Sequence, residues 1–176
     1  MGGYVIQDGE KFRVIASCYK DRGSLDTVRE QLKADGLDTA IYEMHAPDTP
    51  FEVTAGADQL DRIKVGFKGL SEAQARLSDF VITFDKEQQT PAEGREKVGD
   101  IITELKSAGE YIMSRQADGS ILESVNNCYN KYIEKLEGLG KSTAQSFIDF
   151  SSEMKYTHID ITYEYAMLVK EVSGSG

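Results

Sequence analysis

Tryptophan is absent from this 176-residue chain, proline occurs three times and cysteine twice. Cys18 and Cys128 lie far apart and match no CxxC or zinc-ligand spacing, so they define neither a metal site nor a redox compartment. No run of five basic residues occurs, and 30 acids against 20 bases leave a formal charge of −10. That balance argues against nucleic acid as a partner, because phosphate binding relies on clustered Lys and Arg that release counterions. Anionic membrane surfaces are disfavoured on the same ground. The apolar runs are only a few residues long, so no segment is long enough to enter a bilayer directly or to form a signal-peptide core. No G-x-S-x-G elbow, G-x-G-x-x-G turn or complete phosphate loop is present. Gly140-Lys141-Ser142 has the tail of a phosphate loop, but residue 135, where the upstream glycine belongs, is Lys. What is there is a globular composition, 40% apolar and 28% charged, sufficient for one domain or two small ones.

Periodicity divides the chain. The first fifty-odd residues alternate in period two, and those after residue 57 follow a period near 3.6. Tyr4-Val5-Ile6 and the run from Phe12 to Tyr19 read as strands joined through a turn at Asp8-Gly9. In the second run Phe12, Val14, Ala16 and Cys18 form the predicted core face, with Arg13, Ile15, Ser17 and Tyr19 opposite. Ser24 can cap a helix from Leu25 to about Ala34, with Leu25, Val28 and Leu32 as its apolar stripe and Gly36 as its stop. Thr39 to Met44 and Phe51 to Ala55 read as two further strands around a loop bracketed by Pro47 and Pro50.

The remainder reads as helix. Leu60, Ile63, Phe67, Leu70, Leu77, Val81 and Phe84 make a heptad-like seam, and Gly69 leaves open whether residues 58–88 form one helix or two. Thr90-Pro91-Ala92-Glu93 is a strong helix start, Ser120 with Glu123 another, and Ser142 opens the last helix. Short connections between long helices predict antiparallel neighbours. The predicted fold class is α+β: a small β-α-β sheet domain over residues 1–56, a four-helix antiparallel bundle over 57–173, and a flexible tail at 174–176.

Residues that could carry chemistry are few. His158 sits on an apolar stripe and reads as a core histidine, and His45 has no second His or Cys nearby, so no metal ligand set emerges. Both cysteines fall on apolar faces and read as small buried hydrophobes. Glu93, Glu96, Asp100 and Glu104 run along one helix side among Lys and Arg, as a solvated face does. No metal, cofactor or catalytic set is expected, and the chain reads as a non-enzyme. Tyr19 and Tyr42 are the aromatics that suit a sugar ring or a partner side chain.

The block Phe12-Arg13-Val14-Ile15-Ala16-Ser17-Cys18-Tyr19, the helix carrying Val28-Arg29-Glu30-Gln31-Leu32 and Lys33-Ala34-Asp35-Gly36, and Leu37-Asp38-Thr39-Ala40-Ile41-Tyr42 together resemble the first half of a SPOR domain. The likeness covers roughly residues 4 to 56. It departs from the family pattern at Ile15 and Ser17, where Gln and Gly are usual, and in the helices that follow Gly56. The resemblance implies a ferredoxin-like sheet whose open face binds peptidoglycan glycan strands, in a sporulation-related, extracytoplasmic cell-envelope module behind an N-terminal membrane anchor not contained in this chain. On that reading Arg13, Ser17, Tyr19, Tyr42 and Thr54 line the glycan-facing side. The alternative is a protein-interaction or scaffold module, with the Leu60–Phe84 seam engaging a partner or a second copy.

Overall fold

Asp8-Gly9 does close a hairpin: Gly9 takes φ 62°, a value that costs glycine little. Strands β1 (Tyr4–Asp8) and β2 (Lys11–Ile15) pair antiparallel, with Val5 opposite Val14 and Ile6 opposite Arg13. The structure, a computed structural model, describes residues 4–19, 22–43, 53–87, 89–114 and 120–174. Helix α1 (Arg22–Ala34) follows the hairpin and ends in a Schellman turn. There Leu37 N–H donates to Leu32 C=O at 2.9 Å, Gly36 N–H donates to Lys33 C=O at 3.0 Å, and Gly36 adopts φ 80°. Four long helices complete the order: α2 (Ala57–Glu87), α3 (Pro91–Met113), α4 (Ser120–Gly140) and α5 (Phe147–Ser173).

The α+β expectation of a ferredoxin-like sheet domain followed by a four-helix antiparallel bundle is overturned. Of the described residues 74% are helical, in five helices, and a two-stranded antiparallel hairpin is the only sheet among them. Residues 39–43 and 53–55, predicted as strands, are irregular, and Met44, His45, Phe51 and Glu52 lie outside the described residues. The alternation at these places reports half-burial without ladder pairing. Val53 and Ala55 pack on the helical core, and Thr39 and Ile41 are half-buried beside the hairpin. An extended segment becomes a strand only where a neighbour offers free backbone groups in register.

The hairpin also presents the opposite face to that predicted. Phe12 and Val14 are 72% and 71% exposed, whereas Ile6 is buried and Arg13 and Ile15 are half-buried. Period two fixes which residues share a face but not which face turns inward. Here Tyr4 and Ile6 on β1 decide it, because their cross-strand partners are Ile15 and Arg13.

Helices α2–α5 enclose one core. The seam of α2 is consumed within the chain: Ile63, Leu70, Leu77, Val81 and Phe84 are all buried. Gly69 does not end α2. A Cβ there would collide with the Tyr129 hydroxyl, and one on Gly66 would lie 2.5 Å from Val125, so both glycines let α4 approach closely. Thr90 and Glu93 form the capping box that starts α3. The last helix begins later than Ser142, at the N-cap Ser146, whose hydroxyl accepts from Asp149 N–H at 3.1 Å. Arg95 takes the Ser142 and Ala144 carbonyls at 3.3 and 3.2 Å, which holds the preceding residues as a loop. Buried Arg62 on α2 donates through Nε to Ile112 C=O at 2.8 Å, placing a cation at the C-terminal end of α3.

The inverted hairpin gives a direct test by thermal and urea unfolding. Ile6→Ala is expected to destabilise by about 2–4 kcal/mol, as buried aliphatic truncations do. Phe12→Ala is expected to change stability by less than about 0.5 kcal/mol, as an exposed position does.

Candidate functional site

Helix α5 carries polar residues where a core helix has few. His158, Asp160 and Ser151 are buried on it, and Thr162 and Tyr163 are half-buried. A buried carboxylate needs partners to offset lost hydration. Asp160 has two: the Tyr4 hydroxyl donates to Oδ1 at 2.5 Å, and Lys135 Nζ lies 2.8 Å from Oδ2. Desolvation, followed by the bond to Asp160, raises the Tyr4 pKa well above its ordinary 10.0, and Lys135's own hydrogen bond to Asp160 raises the Lys135 pKa.

A second contact lies one helical step away. Cys18, in the irregular stretch after β2, places Sγ 3.3 Å from His158 Nδ1 and 3.9 Å from Thr162 Oγ1. Gln74 of α2 donates through Nε2 to the same Thr162 oxygen at 3.0 Å. Burial pushes the Cys18 thiol up to about 11, with the Thr162 hydroxyl acting in the opposite sense.

These contacts hold the N-terminal segment against α5, and between them lies a cleft of about 850 Å³. One wall is β2 and the residues after it, a second is α1 with residues 38–43, and the floor is α5 from Ile159 to Ala166 with Gln74. Leu25, Val28 and Leu32, the stripe of α1, face into it. Three arginines, Arg13, Arg22 and Arg29, also line it, in a chain whose overall charge is −10. The Arg13 guanidinium stands 4.5 Å from the centre of the Tyr42 ring, a cation–π stack.

Four of the five residues assigned to glycan contact, Arg13, Ser17, Tyr19 and Tyr42, therefore share one cleft. They do so without an open sheet, since Ser17, Tyr19 and Tyr42 lie on irregular segments. Thr54 is exposed and outside the lining. The sequence reading did not join Cys18 to His158, nor find Asp160, Thr162, Tyr163 or Gln74. The available signal was His158-Ile159-Asp160-Ile161-Thr162, polar residues alternating with isoleucine in the last helix, because buried polar groups demand partners.

Other candidates stay apart. Cys128 is buried in the core with its thiol pushed up to about 12, chiefly by burial. Glu93 closes its capping box and Glu104 pairs with Arg76, both on solvent-facing surface. Among the described residues no group of three or more His, Cys, Asp or Glu converges to hold a metal ion, and no helix is long and apolar enough to cross a membrane. His45 lies outside the described residues. No protein-family model, no curated protein and no solved structure matches this chain.

The Tyr4–Asp160 bond should govern how tightly the hairpin is held. Tyr4→Phe is expected to cost about 1–3 kcal/mol, as lost hydrogen bonds to charged groups do. Amide exchange over residues 4–15 should accelerate, with α3 and α4 unchanged. Because the folded-state pKa of Tyr4 is raised, the contribution is intact below pH 10 and is lost as pH climbs further. Exchange measured on either side of that value should therefore show the hairpin loosening only on the alkaline side.

Proposed function

We propose that this chain is a glycan-binding module of the bacterial cell envelope and that the cleft between the N-terminal segment and α5 takes peptidoglycan glycan strands. The observation that carries the reading is the gathering of Arg13, Ser17, Tyr19 and Tyr42 on one cleft of about 850 Å³. Sugar recognition needs flat aromatic surface for the apolar faces of pyranose rings and directional donors for their hydroxyls. Tyr19, Tyr42 and Tyr163 supply the first, and Arg13, Ser17 and Thr162 the second. The Arg13–Tyr42 stack orders both side chains before ligand arrives, which reduces the entropy lost on binding. The three cleft arginines add positive charge where a carboxylate-bearing sugar could lie. Cell-envelope localisation is part of this proposal.

A pull-down with amidase-treated sacculi at low salt tests it. The chain is expected to be retained, and Tyr42→Ala or Arg13→Ala to weaken retention by about tenfold, equivalent to roughly 1.4 kcal/mol. Absence of retention by the unaltered chain ends the glycan reading. The scaffold alternative draws on one specific feature, the outward hairpin face on which Val5, Phe12 and Val14 are exposed. Concentration-dependent light scattering abolished by Phe12→Ser would favour it.

A further inference from the structure

Cys18 is not a core residue: it lines the cleft, with a buried imidazole directly behind its sulfur. We infer that Cys18 and His158 form a nucleophile–base pair that accepts an acyl group from an ester entering the cleft. The inference stands apart from glycan recognition and requires only that the cleft admit a small ester.

Three observations support it. The Sγ–Nδ1 separation of 3.3 Å is within reach for direct proton transfer from thiol to ring nitrogen. His158 is buried on α5, so its ring is fixed relative to the cleft floor. Gln74 reaches the cleft beside them, using one amide hydrogen on Thr162 Oγ1, itself 3.9 Å from the sulfur. A side-chain amide has two hydrogens, and the second is assigned to a developing oxyanion. The constellation is a nucleophile, its base and an electrophilic donor, supplied by three separate segments of chain.

The step balances with water as the only co-reactant. Burial keeps the resting sulfur as a thiol, so its proton passes to His158 Nδ1 as Sγ bonds to the acyl carbon. The tetrahedral centre collapses, the ester C–O bond breaks and the alcohol leaves with the proton returned by Nδ1. A thioester remains on Cys18. Water then attacks this thioester, giving a proton to His158. The C–S bond breaks, the acid departs and Sγ recovers its proton. Cys128, buried in the core and away from the cleft, serves as an internal comparison.

The test uses p-nitrophenyl acetate with the full chain, following nitrophenolate release and locating the acetyl group by peptide mass spectrometry. The result expected is acetylation of Cys18 at least tenfold faster than in the urea-unfolded chain, with Cys128 unlabelled. Release should fall to the solvent rate in Cys18→Ser. His158→Gln should lower the acetylation rate about 100-fold, the usual scale of a general base. Should His158→Gln fail to fold, Gln74→Ala carries the test, because it leaves the Cys18–His158 contact in place and should slow acylation by about tenfold or more. Acetylation of Cys18 no faster than in the unfolded chain, label confined to lysines, or equal rates in unaltered and Gln74→Ala protein would overturn the assignment.

Discussion

Asp160 sets the architecture of the N-terminal third. A carboxylate only 6% exposed on a packed helix is costly to bury without partners, and the bundle itself supplies one, the Lys135 ammonium. The second comes from the Tyr4 hydroxyl, 156 residues away in sequence. That bond places β1 on α5, and β2 follows through the ladder. A two-stranded hairpin has little stability of its own. It stands here because Tyr4 and Ile6 are anchored and because Cys18 meets His158 two residues before Asp160. Without this docking the cleft has a floor but lacks a wall.

The platform beneath is rigid for reasons of packing. Phe84 stacks on Phe147 with ring centres 5.1 Å apart and lies 5.4 Å from Phe150, joining α2 to both ends of the first turn of α5. Glycines at 66, 69 and 94 face Val125, Tyr129 and Phe150, where any side chain would force the helices apart. The Tyr129 and Tyr132 hydroxyls are buried without a hydrogen-bond partner among the described residues. Such close packing resists local adjustment, so side chains on the outer face of α5 keep their mutual geometry.

The helices were legible because their signals are local. Thr90-Pro91 with Glu93 fixes the start of α3 by capping chemistry, and Gly36 fixes the end of α1 by backbone conformation. Gly69 left the continuity of α2 open for the opposite reason: its role is a contact with Tyr129, 60 residues on, which no local rule contains. The sheet failed likewise. Alternation at residues 39–43 and 53–55 records half-burial, and whether that becomes a strand depends on a neighbour which only the tertiary fold provides. The inward face of the hairpin was invisible because Asp160 chooses it from α5. The cleft residues Arg13, Ser17, Tyr19 and Tyr42 were readable as polar and aromatic groups opposite an apolar face. Cys18 and His158 were each visible, but their pairing depends on docking across 140 positions.

Both functional readings, the glycan in the cleft and the acyl group on Cys18, depend on the N-terminal segment resting on α5. A nuclear Overhauser spectrum of the labelled chain measures this directly. The account predicts cross-peaks from the Tyr4 ring to the Lys135 side chain and from the Cys18 β-protons to the Thr162 methyl, with residues 4–19 tumbling at the rate of the helices. Absence of those cross-peaks, with the hairpin tumbling independently of α5, would contradict it.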